Sequence, residues 1–150
     1  MKKQIMNIVA AISFLFMVSA VSAYAQAPEM KANIPFDFQI QGKVMSAGAY
    51  TFTEPISQKN LLIIRGDQKD SAAATIAYFV DAEKQANGTK LVFRRYGDQY
   101  FLAQLIFKDS AKNRELPTTK AERAIVKEMR ARHLAGNQVE PQIVTITAAQ

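Results

Sequence analysis

The chain has 150 residues, a formal net charge of +6 at pH 7 and no cysteine. This length suits one domain, and the missing cysteine excludes disulfide bonds, a catalytic thiol and cysteine-ligated zinc. The fold must therefore be held by apolar burial and backbone pairing.

The first 25 residues are typical of a cleaved signal peptide. Lys2 and Lys3 form a short positive start, residues 8–18 are apolar apart from Ser13, and Ala23-Tyr24-Ala25 has the small-x-small cleavage pattern. The sequence therefore predicts an exported protein, either periplasmic or extracellular. An uncleaved membrane anchor is the alternative, because residues 4–25 carry no charge and a bilayer span needs about 20 residues.

Two cleavage positions fit the pattern, after Ala25 or after Ala27. The first is favoured because Pro28 would directly follow the second bond, where its tertiary amide suits a protease badly. Cleavage after Ala25 removes two lysines and no acid, so the net charge falls from +6 to +4 and no transmembrane segment is expected to remain.

Period-two patterns predict a β-rich domain over residues 26–107. The clearest alternates Ile34, Phe36, Phe38 and Ile40 with polar residues and proline, which places four apolar side chains on one face of a strand. Pro35 cannot donate a hydrogen bond, so this strand should lie at an edge or pair only after the proline. Further strands are predicted over residues 50–53, 61–65 and 72–80.

Gly97-Asp98 separates two apolar-aromatic runs and suits a two-residue hairpin turn. This turn sets the register: Tyr96 faces Gln99, Arg95 faces Tyr100, Arg94 faces Phe101, and Phe93 faces Leu102. Both faces are then apolar, so the hairpin should be central and covered on both sides. One face would carry Leu91, Phe93, Tyr100 and Leu102, and the other Val92, Phe101, Ala103, Leu105 and Phe107.

A polar linker is predicted over residues 108–117, followed by a helix over about 120–135. Thr119 and Glu122 match the capping box that satisfies free amides at a helix start, and Gly136-Asn137 is suited to end the helix. The alternation in 143–147 indicates a short final strand or an extended tail. Residues 108–150 should thus belong to the same domain as the strands.

Taken together, these elements predict a mainly β fold. It is an antiparallel sandwich or small barrel of about six to eight strands, with one C-terminal basic amphipathic helix.

No motif indicates catalysis, and no cofactor-binding, metal-binding or catalytic residue is assigned. The single histidine, His133, falls near the predicted helix C-terminus, where its charge interacts favourably with the helix dipole. Carboxylate pairs such as Asp67 with Asp70, or Asp81 with Glu83, fall in polar turns where solvated acids are ordinary. A hydrolase or carbohydrate-active enzyme built only from Asp and Glu remains the alternative function.

Two sets of residues are candidates for binding a partner. Residues 108–133 contain eight Lys or Arg and four acids, which accounts for the whole +4 of the processed chain. This segment is either a solubilising helix face or a surface for an anionic envelope component or another protein. Nucleic acid is not expected, because export separates the protein from it. The helix candidates are Lys120, Arg123, Lys127 and Arg130. The hairpin-tip candidates are Arg94, Arg95, Tyr96 and Tyr100, although Arg95 can equally stack on Tyr100 within the hairpin.

Four segments of the chain form a recognisable set: Ala32-Asn33-Ile34-Pro35-Phe36-Asp37-Phe38, Ala47 to Phe52, Leu91 to Leu102 with its RYGDQYFL element, and Arg114-Glu115-Leu116-Pro117. In these segments the chain resembles a family of small exported bacterial proteins of unknown function. The resemblance implies a signal peptide followed by a β domain. That family often has Leu-Pro where this chain has Met45-Ser46, so the turn geometry can differ there. The sequence thus favours a non-enzymatic binding or structural module of the cell envelope.

Overall fold

The computed structural model describes residues 29–82, 86–132 and 140–149. The predicted signal peptide and its cleavage site, Glu83, His133 and Gly136-Asn137 lie outside these residues. The described elements are eleven strands and one helix: β1 Glu29–Ile34, β2 Phe38–Ile40, β3 Lys43–Met45, β4 Gly48–Thr53, β5 Leu61–Gly66, β6 Ala72–Ile76, β7 Tyr78–Asp81, β8 Lys90–Tyr96, β9 Gln99–Ile106, β10 Lys112–Glu115, α1 Lys120–Arg132 and β11 Gln142–Thr147.

The strands form two sheets that enclose one core. The first is antiparallel with the order β1-β4-β5-β6, and the second has the order β11-β8-β9-β10-β7, with β2 pairing both β3 and β9. The single β2–β9 contact, Gln39 with Phe101, is parallel. This arrangement confirms the predicted mainly β, sandwich-type fold with a helix near the C-terminus. The largest fully buried side chains are Phe38, Phe52, Phe93, Phe101, Met30, Ile34, Ile40, Met45, Leu62, Ile64, Leu91 and Leu105.

The sequence predicts one strand over residues 34–40, and this prediction is wrong. The chain leaves the first sheet after Ile34 and enters the second at Phe38. Pro35 offers no amide for pairing, and the Asp37 carboxylate accepts a 2.8 Å hydrogen bond from the Ala47 amide across the bend. The alternation still marks the core, because Ile34, Phe38 and Ile40 are buried.

Residues 72–80 also divide between the sheets. Strand β6 pairs with β5 in the first sheet, whereas β7 pairs with β10 in the second. The chain bends at Ala77, which is buried and donates its amide to the Asn60 carbonyl at 2.8 Å. The opposite edges of the two sheets are joined where Lys31 and Ala149 exchange two 2.8 Å backbone hydrogen bonds.

The hairpin of β8 and β9 has the predicted register at all four residue pairs. A bulge between Val92 and Phe93 then leaves Ala103 without a partner, so Leu91 faces Leu105. The extra residue reverses the side-chain alternation beyond it. Leu105 and Phe107 therefore lie against the core with Leu91 and Phe93, and their predicted place on the other face is wrong.

The predicted polar linker contains a strand, β10, which pairs with both β7 and β9. Its charged residues conceal it in the sequence, yet Arg114 lies over the Phe79 ring at 3.5 Å and forms a salt bridge with Glu54. The tail is a strand as well, since β11 pairs with β8 from Lys90 to Arg95. Together with the two divided strands and with β3, for which the sequence predicts no strand, β10 explains why the described residues form eleven strands and not about six to eight.

Candidate anion-binding groove

Helix α1 begins with half of the predicted capping box. The Glu122 amide donates a 3.1 Å hydrogen bond to Thr119 Oγ1, and the Arg123 amide donates to the Thr119 carbonyl at 3.1 Å. The Glu122 carboxylate, however, turns towards strand β8. The acid expected to close the helix start therefore attaches the helix to the sheet.

A buried ion pair makes this attachment. Arg94 Nε donates to Glu122 Oε1 at 2.6 Å, and Arg94 Nη2 donates to Oε2 at 3.3 Å. The Glu122 side chain is 1% exposed and that of Arg94 is 16% exposed. Hydrogen bonds of this two-pronged, charged kind are short and directional. Glu122 therefore pairs with the sheet and not with a base along the helix.

Tyr96 completes the attachment, because its hydroxyl donates a 3.2 Å hydrogen bond to Glu122 Oε1. Burial raises the pKa of Tyr96 above its ordinary value of 10.0, and the Glu122 charge and hydrogen bond raise it further, against the opposing charges of Arg94 and Arg130. The phenol is therefore held in its neutral, donating form.

The four predicted basic residues of the helix form one continuous stripe. At about 100° per residue, Lys120, Arg123, Lys127 and Arg130 fall within an arc of about 80°; we call this set the cation stripe. Both helix acids lie outside it, because Glu122 faces the sheet and Glu128 pairs with Arg132 at 2.6 Å.

A groove of about 490 Å³ runs between the cation stripe and β8. It contains no carboxylate among its lining residues, and within the described part of the chain its three basic groups form no ion pair. Free, solvated cations beside a concave surface attract anions. The lining residues are Tyr96, Thr118, Arg123, Val126, Lys127 and Arg130.

The structure divides the four hairpin-tip candidates. Arg94 and Tyr96 both bind Glu122. The charge of Arg94 is therefore paired within the protein, and the hydroxyl of Tyr96 is already donated. Arg95 stays at the tip, 5.3 Å from the Tyr100 ring, and Tyr100 stacks on Phe36 at 4.0 Å. The stacking that the sequence allowed is present, and recognition by the tip stays a prediction.

Sequence reasoning missed two groove residues, Thr118 and Val126. The position of Val126 next to the cation stripe follows from the helical period alone. What the sequence did not show was the neighbouring strand, since Tyr96 joins the groove only through the fold.

The described acids of the predicted carboxylate pairs, Asp67, Asp70 and Asp81, are all exposed. Asp81 does share a cavity of about 560 Å³ with Glu115. Among the described residues, no group of three or more His, Cys, Asp or Glu side chains is placed to hold a metal ion.

No family model, curated protein or solved structure matches this chain. Within 29–82, 86–132 and 140–149, no helix is long and apolar enough to cross a membrane.

Proposed function

We propose that this chain is an exported, non-enzymatic binding module of the cell envelope, and that it binds an anionic ligand in the groove beside the cation stripe. The observation that carries the proposal is the segregation of charge on α1. Four bases share one flank, while the two acids of the helix are engaged elsewhere.

This segregation argues against a merely solubilising surface. A solubilising helix face gains from interspersed acids and bases, which pair along the helix. Here Glu128 forms its ion pair with Arg132 on the flank away from the groove, so it does not neutralise the cation stripe. The like charges of the cation stripe repel one another, and an anion in the groove would relieve that repulsion.

The attachment to the sheet supports binding in a second way. The pair of Glu122 with Arg94 holds the first turns of α1 against β8. The bases therefore project from a positioned helix, so a ligand need not supply the free energy of ordering it.

Export is proposed from the N-terminal pattern and from the resemblance to small exported bacterial proteins. It is tested by expressing the full chain in a bacterium and measuring the mass of the protein recovered outside the cytoplasm. We expect a species that begins at Gln26. Recovery of the intact chain in the membrane fraction would favour the uncleaved anchor.

Anion binding is tested with linear polyphosphate as the probe. We expect the double variant K127E/R130E to lower the affinity at least about tenfold at low salt, because two favourable charge contacts become repulsive. The matched control is K59E/K69E, which changes the net charge equally at two exposed loop positions. Equal loss in both variants would indicate attraction by net charge alone and would overturn the groove as the site.

The alternative function, a hydrolase using only carboxylates, is favoured by the cavity that Asp81 shares with Glu115. Hydrolysis needs an acid and a base on one substrate. Turnover of a panel of glycosides that is lost in both D81N and E115Q would support the enzyme over the binding module.

A further inference from the structure

We infer that the ligand of the groove is an anionic amphiphile, a molecule with a phosphate or carboxylate head and an alkyl chain. This inference rests on the proposed function and specifies its ligand. The head would lie on Arg123, Lys127 and Arg130, and the chain on Tyr96 and Val126.

The groove has a hydrocarbon floor. Tyr96 is 8% exposed, and its only polar side-chain atom is bound to Glu122. The ring also packs edge-on against Phe101, with 6.0 Å between centroids. Tyr96 is therefore held from two sides, and the surface it offers the groove is ring carbon next to the half-buried Val126.

The rim of the groove carries positive charge over about two helical turns. Arg123 and Arg130 are two helical turns apart, about 10 Å along the axis, with Lys127 between them. One anionic head can therefore contact two bases at once. Arginine in particular binds phosphate and carboxylate oxygens through paired N–H groups.

This lining favours an anionic amphiphile over a sugar or other polyol. Apart from the bases, Thr118 supplies the only side-chain hydroxyl free of Glu122 among the lining residues. A polyol would accept hydrogen bonds from the bases but would find few acceptors for its own hydroxyl protons, and each buried donor left unpaired costs free energy. An alkyl chain on the same floor gains free energy for each methylene removed from water.

Two other cavities of the described residues lack this combination. The cavity beside β1 and β4 includes Asp67 with Lys31, and the cavity beside β10 includes Glu54 and Asp109 with its bases. Carboxylates in those walls would repel an anionic head. The α1 groove joins uncompensated cations to an apolar floor.

The experiment compares methyl phosphate with decyl phosphate, each below its micelle-forming concentration, by titration calorimetry on the purified protein. We expect decyl phosphate to bind at least about tenfold more tightly, because the chain is buried on the floor. V126N should remove most of that gain, because the amide side chain takes the place of apolar surface on the floor. V126T, which keeps the shape of valine, serves if V126N loses helical circular dichroism.

The outcomes separate the inference from the function on which it rests. Equal affinity for the two phosphates would overturn the amphiphile while leaving anion binding intact. Decyl phosphate that binds K127E/R130E as well as the unmodified protein would also overturn it, since the head would then make no contribution. Binding to vesicles of anionic phospholipid without binding of the monomeric amphiphile would identify a membrane surface instead. If methyl phosphate, decyl phosphate and polyphosphate all fail to bind, the proposed function itself is overturned.

Discussion

Glu122 of α1 and Arg94 of β8 form a buried, two-pronged ion pair with a shortest N–O distance of 2.6 Å. Twenty-eight residues separate them in the chain. Glu122 is the buried residue of a helix whose other described side chains are half-buried or exposed. A charge pair, and not an apolar stripe, therefore provides the deepest contact of this helix with the sheet.

Removing the carboxylate should destabilise the protein strongly. We expect E122A to lower the free energy of unfolding by about 3 kcal/mol, because it leaves the Arg94 charge buried without a partner. Urea denaturation followed by circular dichroism measures the loss. The double variant R94M/E122M should recover at least half of it, whereas E128A, at an exposed position, should change stability by less than about 0.5 kcal/mol. Similar effects of E122A and E128A would contradict the buried pair.

The bulge at Ala103 predicts which neighbouring side chain supports the core. L105A should cost about 3 kcal/mol, because Leu105 is 0% exposed and its removal leaves a cavity. I106A should cost clearly less, since Ile106 lines an open surface cavity. Chemical denaturation of both variants measures the difference. A larger loss of stability in I106A than in L105A would indicate regular alternation of the side chains and contradict the bulge.

Gly66 is required for close packing beneath Tyr50. A Cβ at this position would lie 2.7 Å from both Ser71 Cβ and Tyr50 Cε1. We expect G66A to lower the free energy of unfolding by about 2 kcal/mol through overpacking. Adding S71G removes one of the two clashes and should return part of the stability, as measured by thermal and urea unfolding. A G66A variant as stable as the original would show that Tyr50 moves aside freely.

Tyr96 makes stability dependent on alkaline pH. Its pKa is raised in the folded state, mainly by burial, so folding favours the protonated phenol. The contribution is fully present below the unfolded pKa of about 10 and is lost as the pH rises through the higher folded pKa. Y96F should therefore lose less stability than the original protein between neutral and strongly alkaline pH. Tyr50, whose pKa is also raised, is common to both proteins and cancels in the comparison. Parallel pH profiles would contradict the shift at Tyr96.

The hairpin shows how far local chemistry carries a prediction. Gly97 has a φ of 60°, which suits the tight turn, and a two-residue turn allows only one register beside it. The pairing from Phe93 to Tyr96 was therefore predictable. The bulge was not predictable, because residues 101–103 and 105 are all apolar. When both faces of a hairpin are buried, an extra residue does not change the pattern of apolar residues in the sequence.

The divided strands show a different limit. Period-two alternation continues from Ile34 to Ile40 although the chain changes sheets between them, since both sheets face the same core. Alternation reports which side chains are buried. It does not report which strand lies beside them, and so one strand and two strands give the same pattern.

The sequence by itself determined the β-rich class, the hairpin register, the helix start and the clustering of four bases on one helix flank. These follow from local rules: turn geometry, capping and the helical period. Tertiary structure alone decided where Glu122 points, and with it what the helix can do. A carboxylate three residues into a helix can bind its own cap, a base one turn away or a distant strand. The choice of Arg94 depends on burial and on a neighbour that only folding supplies. Because the acid is buried there, the cation stripe is left uncompensated beside the Tyr96 ring, and the proposed binding groove exists.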